Sequence, residues 1–592
     1  MFSLKDERHL VLIWDATARA WLCYRHPREI IRISELARIR PALERIEELV
    51  KRRGLHAAGF LTYEAAPAFD PILRVHSQAG SEPPLLWFGI YDWVERIAPQ
   101  KAARATSSLD WTSSISEQQY HDALRRIREH LRVGDTYQVN FSFRLWADFT
   151  GHPWDFFQAI CRDRPANHAA YISLPDWAVC SFSPECFFSL HGDEIISEPM
   201  KGTRARGLTL EQDLALAEEL GRSAKDRAEN VMITDMVRND LGRIAVPGSV
   251  VVDRLYAVEK HATVWQMVSR VRARTKRSLA EIFRALFPAA SITGAPKAAS
   301  MGIIADLESA PRRVYTGSIG YISPPGAGSV SGAGLRAAFN VAIRTVLVDR
   351  RRNRAEYGVG GGIVWDSEPQ GEYAECRTKA RVLQQYVPDF ELLETMLWTS
   401  DQGYVLLERH LARLRASAEY FDFQLDMRAV RDSLGDMSGG LARESCVIRL
   451  LLGRDGLVRV EVHPLPMKQN HIARVALATF PVQSGEPFLY HKTTYRALYE
   501  KALASKPGYD DVLLVNERGE VTESTRANIL AMLEGVLYTP PVSCGLLPGT
   551  MRAQLLEQGL IVERILTPAD LIRAEQVYLV NSVRGIRQVE YL

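Results

Sequence analysis

The sequence predicts two α+β domains, and three observations predict them. A chain of 592 residues exceeds what a single hydrophobic core organises. Segments that alternate apolar and polar residues, as strands do, are interspersed with segments of helical period. Near Gln384-Gln385-Tyr386-Val387-Pro388-Asp389 the pattern restarts, which places one domain at 1–387 and a second at 388–592. Within the first, 1–115 is expected to be framework and 116–387 the working core.

The totals narrow the function. A formal charge of +2, with basic runs such as Arg350-Arg351-Arg352 lacking interleaved aromatics, argues against a nucleic-acid partner. Seven scattered cysteines without a Cys-x-x-Cys pair point to a reducing compartment, with neither a disulfide framework nor a zinc site. The opening MFSLKDERHL is too charged for a signal peptide, and no apolar run is long enough for a bilayer, so a cytoplasmic protein without a membrane partner is expected.

In chain order, Gly59–Glu64 and Trp87–Tyr91 read as framework strands. Ser116 with Gln119 forms a capping box, and Tyr120, Leu124, Ile127 and Leu131 repeat at helical spacing until Gly134. From Tyr137 to Leu145 apolar residues alternate with Gln138, Asn140, Ser142 and Arg144, turning a polar face toward a cavity. SFSPECFFSLHGDEIISEPMKGT, from Ser181, reads as a hairpin about His191-Gly192-Asp193 that brings the turn carrying Glu185 back beside the turn carrying Lys201. An acid and an amine in a partly dry pocket suit general-acid and nucleophilic work on a small anion, although a solvated pair is the alternative.

A helix follows Ser223, with Asp226 and Glu229 in its first turns, and a second acidic helix carries Glu372, Glu375 and Lys379 on one face. It succeeds the glycine-rich Gly358–Val364, whose backbone can approach a ligand. Two such helices suggest a hard-cation site for Mg²⁺; surface salt bridges are the alternative for any single Glu. Between them, Ser291–Lys297, including Thr293, is a loop entering a helix, able to offer backbone donors to a carboxylate. Phe339–Thr345 reads as one buried strand interrupted by Arg344, and a buried guanidinium needs an anion.

In the second domain Phe390–Trp398 reads as a strand, and His410–Leu414 lies in a helix. His491–Arg496 opens another helix, Gly519–Glu523 closes a hairpin turn, and Leu547–Arg552 starts a further helix. Lys492, Glu523, the Thr550-Met551 amides and Arg413 could supply the parts that a pyridoxal phosphate site requires. These are a lysine, a carboxylate for the pyridine nitrogen, and a phosphate seat at a helix N-terminus beside an arginine.

The ordered set YQVNFS, SPE, PMKGT, DRAEN with RNDLGR, SITGAPK, YTGSIGYIS, FNVAIRT and YGVGGGIV with EYAECRTK resembles the chorismate-utilising enzymes over about residues 115–385. That family comprises the anthranilate, aminodeoxychorismate and isochorismate synthases. The resemblance implies an antiparallel β-sandwich flanked by helices. It makes Glu185 the acid that protonates the departing C4 hydroxyl of chorismate, and Glu229 and Glu375 the Mg²⁺ ligands. Arg344 and Lys379 become the carboxylate clamp, assisted by backbone donors around Gly361, with Thr203 and Thr293 as further substrate contacts. Gln138 stands where the water-using members carry a lysine, which implies a nitrogen nucleophile. Lys201 stands where anthranilate synthases have a small residue, and its amine resembles aminodeoxychorismate synthase component I, whose lysine adds at C2 before ammonia enters at C4.

VTESTRANIL and NSVRGI, with Lys492, Arg413 and Thr550, resemble the fold-type-IV pyridoxal phosphate enzymes, a group containing D-amino-acid aminotransferases and 4-amino-4-deoxychorismate lyase. This implies pyridoxal 5'-phosphate on Lys492, with Glu523 at the pyridine nitrogen and Arg413, Thr550 and Ser582 at the phosphate. A lyase joined to the enzyme that makes its substrate is the economical combination. It would yield 4-aminobenzoate for folate synthesis. No Gly-x-Cys-x-Gly-type glutaminase segment is visible, so a separate glutamine amidotransferase subunit is expected to supply ammonia. The resemblance leaves open a homodimer through the C-terminal domain. The alternatives are an anthranilate-type synthase fused to an aminotransferase-like domain, or an idle pyridoxal-fold module.

Overall fold

The computed structural model describes residues 4–77, 82–98, 109–161, 165–325, 334–380, 383, 389–439, 445–465 and 472–592. Among them the alternating segments of the first unit become strands of two ten-stranded sheets, all of whose pairings are antiparallel. Residues of both sheets, including Val11 and Val179 from one and Phe60 and Trp87 from the other, share an apolar cluster. By backbone contacts this unit comprises Met1–Ala205 and Ala217–Val387, and the second comprises Arg206–Leu216 and Pro388–Leu592. The stretch 384–388, where the sequence pattern restarts, lies outside the described residues.

Two crossovers between the sheets organise the first unit. The chain leaves strand Trp177–Ser183 in one sheet, turns through Pro184-Glu185 and enters strand Cys186–His191 in the other. It returns from Arg336–Asn340 to Thr345–Asp349 through Val341–Arg344. Phe339–Thr345 is therefore not the single strand expected from its apolar run. Its middle residues change sheets, and Arg344 adopts a left-handed φ of 49°. The crossovers are hydrogen-bonded to each other, Val341 N to Glu185 O at 3.1 Å and Phe182 N to Arg344 O at 3.0 Å. Backbone pairing thus puts an acid and a guanidinium from distant sequence at one place.

The hairpin expected after Ser181 forms, with Cys186–His191 antiparallel to Glu194–Ser197. Strand Met200–Ala205 then pairs with Val264–Arg274 across a register shift between Met200 and Thr203, where Gly202 takes φ +91°. A bulge of this kind re-aims the side chain at its apex, here Lys201. Helix Glu117–Val133 has the expected Ser116–Gln119 capping box and stops at Gly134, φ +82°. Helix Ala224–Gly242, capped by Ser223, packs on the Lys201 strand, and helix Pro369–Ala380 packs on the glycine-rich strand Arg354–Ile363.

The polar face expected on strand Gln138–Asp148 divides between two tasks. Arg144 is buried between Glu308, at 3.7 Å, and Glu356, at 3.5 Å, and Ser142 donates to Glu308 at 2.8 Å. A buried guanidinium paired this way belongs to the core rather than to a cavity. Asn140 remains at the cavity.

The second unit contains a four-stranded and an eight-stranded sheet, and the larger mixes parallel and antiparallel pairs. His491–Arg496 is not yet helical. Lys492 O accepts from Leu393 N at 3.0 Å, holding the lysine extended beside strand Leu392–Thr399, and the helix begins at Ala497. Thr494 fixes that conformation by accepting from Glu391 N at 2.9 Å, as β-branched residues favour extended backbone. Among the described residues no helix is long and apolar enough to cross a membrane.

Candidate active sites

The crossovers, the Lys201 bulge and the two acidic helices enclose a cavity of about 310 Å³ in the first unit. Glu185, Lys201, Thr203, Glu229, Arg344, Glu375 and Lys379 all line it. Glu185 is buried and accepts from Ser291 Oγ at 2.6 Å. Burial pushes its carboxyl up to about 7, against the opposing pull of that hydrogen bond, Lys201 and Arg344. It is therefore substantially protonated near neutrality, as a general acid must be.

Burial also pushes the Lys201 ammonium down; Lys379 acts in the same direction, while Glu229, Glu375 and Glu185 oppose it. The amine occupies space that glycine leaves open. A Cβ at Gly362 would stand 2.4 Å from Lys201 Nζ and 2.7 Å from Gln138 Nε2. Gln138 is fully buried, and both its amide atoms lack hydrogen-bond partners among the described residues. Arg344 has its guanidinium pushed down by burial and, among the described residues, no ion-pair partner. It is a cation awaiting an anion.

The acidic helices supply a hard-cation donor set. Burial pushes the Glu229 carboxyl up, and neighbouring Asp226 and Glu372 add to the effect, a repulsion that a bound dication relieves. Glu375 is held low, chiefly by Lys379, its ion-pair partner at 2.8 Å. Glu229 and Glu375 therefore fit Mg²⁺, with Glu372 close by. Lys379 also donates to Gly360 O at 2.9 Å, and a Cβ on Gly361 would meet Glu372 Oε2 at 3.1 Å.

Thr293 stands apart from its expected place. It does not line the cavity, because its hydroxyl turns back to Ala289 O at 3.1 Å and its carbonyl accepts from Asn140 N. From the same loop it is Ser291 that reaches the acid. Ser291 lies within the SITGAPK motif and Glu372 beside Glu375 on the acidic helix, so both positions are visible in the sequence but their contacts are not.

The second unit holds a cavity of about 290 Å³ lined by Lys492, Glu523, Arg413, Thr550 and Ser582. Burial pushes Lys492 down to about 8, with Arg413 adding to the effect, so a neutral amine is accessible for condensation with an aldehyde. Burial pushes Glu523 up to about 7; Tyr499 donates to it at 2.8 Å and Asn528 at 3.3 Å. A carboxyl at that value shares a proton readily with a pyridine nitrogen, so lysine and acid suit pyridoxal phosphate. Thr550, which lines the cavity, begins helix Thr550–Glu557, and a helix N-terminus favours an anion. The Met551 side chain packs instead with Leu530, Leu555 and Ile561, leaving its backbone as the contributing part.

Arg413 lines the cavity but is anchored by Glu394, at 2.9 and 2.7 Å, and by Pro548 O at 3.2 Å. Glu394 also pairs with His410 at 2.6 Å, and His410 lies 3.3 Å from Thr550 Oγ1. Glu394 and Tyr499 carried no sequence signal of their own and are recognised only by what they touch, whereas Asn528 lies within VTESTRANIL.

Residues 8–385 match the family model of the chorismate binding enzyme, and residues 391–592 match that of amino-transferase class IV. An aminodeoxychorismate synthase component 1 from Klebsiella aerogenes is 37% identical over 357 residues, covering 56% of this chain and 76% of that protein. An anthranilate synthase component 1 from Haloarcula marismortui is 39% identical over 288 residues, covering 48% of this chain and 55% of the other. The crystal structure of anthranilate synthase component I from Streptococcus pneumoniae superposes with a TM-score of 0.52 at 24% identity, covering 65% of this chain and 94% of that one.

Proposed function

The chain belongs to the chorismate-binding enzymes through residues 8–385, and on that premise we propose a bifunctional enzyme that makes 4-aminobenzoate from chorismate. The first unit joins chorismate and ammonia to give 4-amino-4-deoxychorismate. The second, a class IV amino-transferase domain, eliminates pyruvate from that product.

The observation that carries this reading is Lys201, an amine whose surroundings favour its neutral form, in the same cavity as an acid pushed up to about 7. Arg344 and Lys379 bind the substrate carboxylates. Glu185 gives its proton to the C4 hydroxyl, which leaves as water while Lys201 Nζ forms a bond to C2. Ammonia then bonds to C4, the C2–N bond breaks, and Lys201 recovers its electron pair. Two allylic displacements replace one difficult step. Mg²⁺ held by Glu229 and Glu375 supplies countercharge for a substrate carboxylate.

In the second cavity, pyridoxal phosphate bound at Lys492 supplies an electron sink. Tyr499 and Asn528 hold Glu523 in place, Arg413 and Thr550 face the anion seat, and Lys492 removes the proton at C4 of the substrate, so that the ring becomes aromatic as pyruvate departs. The ammonia source is a separate glutamine amidotransferase subunit, in keeping with the component 1 name of the Klebsiella relative. Assembly as a homodimer through the second unit belongs to the same proposal.

Product analysis tests both halves. With chorismate, Mg²⁺, ammonium and pyridoxal phosphate, the wild type yields 4-aminobenzoate, and Lys492→Ala accumulates 4-amino-4-deoxychorismate. Anthranilate as product would overturn the role of Lys201, and an unaffected Lys492→Ala would overturn that of the second unit.

A further inference from the structure

The turns bearing Glu185 and Lys201 are joined by a third group of residues that the proposed reaction does not use. His168, Cys186 and Glu198 each offer a ligand atom, and these atoms lie within 4.8 Å of one another. They come from distant positions. His168 begins strand His168–Ser173 in one sheet, Cys186 begins the first strand of the hairpin in the other, and Glu198 directly follows the second.

The three residues are tied into the surrounding fold, chiefly through their backbone. Arg270 Nε donates to Glu198 Oε1 at 2.7 Å, leaving Oε2 as the free donor of that carboxylate. Asn340 Nδ2 donates to His168 O at 2.9 Å, and Asn340 pairs with Cys186 across the sheet. Ser197 Oγ donates to Phe187 O at 2.7 Å and so locks the residue after Cys186 to the residue before Glu198. Among the described residues the His168 ring makes no hydrogen bond. Of the three ligand groups, the Glu198 carboxylate is the one with an outer partner, among the described residues, that orients it.

We propose that His168, Cys186 and Glu198 bind a thiophilic divalent ion of the zinc class, clipping together the turns that carry Glu185 and Lys201. Imidazole, thiolate and carboxylate are the ligand types zinc takes, and three protein ligands leave a fourth position for water. Tetrahedral bonds of about 2.1 Å place ligand atoms roughly 3.5 Å apart, so binding draws any pair now near the 4.8 Å limit closer by about 1 Å. His168 and Glu198 are only part-buried and can turn to meet the ion, whereas Cys186 is buried and fixed. The thiolate sets this centre apart from the all-carboxylate Mg²⁺ site at Glu229 and Glu375, because hard Mg²⁺ has little affinity for sulfur. Glu185 immediately precedes Cys186 and Lys201 lies three residues after Glu198, so the ion would restrain both turns at once.

The full chain, stripped with chelator and returned to excess Mg²⁺, is titrated with Co²⁺ and then with Zn²⁺. The expected result is a thiolate-to-cobalt charge-transfer band saturating at one ion per chain and erased by Zn²⁺. The band should be absent from Cys186→Ser and retained in Glu229→Gln, with affinity weakened at least about tenfold in His168→Ala and Glu198→Gln. These last two variants alter part-buried side chains and carry the test should Cys186→Ser fail to fold. A wild type without the band overturns the proposal, as does a band that survives in Cys186→Ser or affinities unchanged in both His168→Ala and Glu198→Gln.

Discussion

Replacing Ser291 by alanine tests whether Glu185 is the acid, because it alters the proton affinity of that group without touching the carboxylate itself. The Ser291 hydroxyl donates to Glu185 Oε1 at 2.6 Å and so favours the ionised form. A hydrogen bond to a charged group contributes about 1.5–3 kcal/mol, and about 1.4 kcal/mol corresponds to one pKa unit. Its loss should raise the acid from about 7 by about one to two units, so that protonated Glu185 persists to higher pH. At pH 9 an acid of pKa about 7 is about 1% protonated and one of about 8 is about 10% protonated. The kcat/KM of Ser291→Ala relative to wild type should therefore climb roughly tenfold between pH 6 and pH 9. The assay follows chorismate consumption at constant free ammonia, adjusting total ammonium at each pH. Taking the ratio cancels the titration of Lys201, which both proteins share. A ratio flat in pH, or one falling as pH rises, would refute the assignment of Glu185.

Two further substitutions separate the cavities. In Gly362→Ala the new methyl lies 2.4 Å from Lys201 Nζ and 2.7 Å from Gln138 Nε2, both far ends of flexible chains and neither of them backbone, so the fold survives while the amine is displaced. A displacement of about 1 Å costs on the order of a hundredfold in rate, so chorismate amination should drop by that order while lyase activity on supplied 4-amino-4-deoxychorismate is unchanged. In Glu394→Gln, Arg413 loses its buried counter-charge. Breaking such a pair costs about 3–5 kcal/mol, and the second unit should melt earlier and bind pyridoxal phosphate more weakly by absorbance titration, with synthase turnover intact.

How much of this was legible in the sequence follows from the range of each contact. The capping box at Ser116, the hairpin about His191-Gly192-Asp193 and the shared face of Glu372, Glu375 and Lys379 rest on spacings of a few residues, where the period of the backbone dictates who meets whom. The ordered motifs further singled out candidate side chains, and most of them line one of two cavities. What stayed hidden depends on the sheets. Ser291 meets Glu185 across 106 positions and Glu308 meets Ser142 across 166, pairings that no local period encodes.

Arg344 shows the limit most sharply. An apolar run with one arginine reads as a strand, because composition cannot say that the chain changes sheets within it. Yet that change, with φ at 49°, sets the guanidinium beside the Glu185 turn instead of among the Arg144–Glu308–Glu356 core pairs. Charges of the core are satisfied by partners, whereas Arg344 and Gln138 have none among the described residues. Holding polar groups away from water without partners costs stability, a cost that an anion bound at Arg344 would offset. Among the described residues, partnerless buried atoms also occur away from the cavity, at Tyr24, Tyr63 and Trp111, so it is the place of Arg344 on the cavity wall, together with its lack of an ion-pair partner, that marks it as a candidate anion seat.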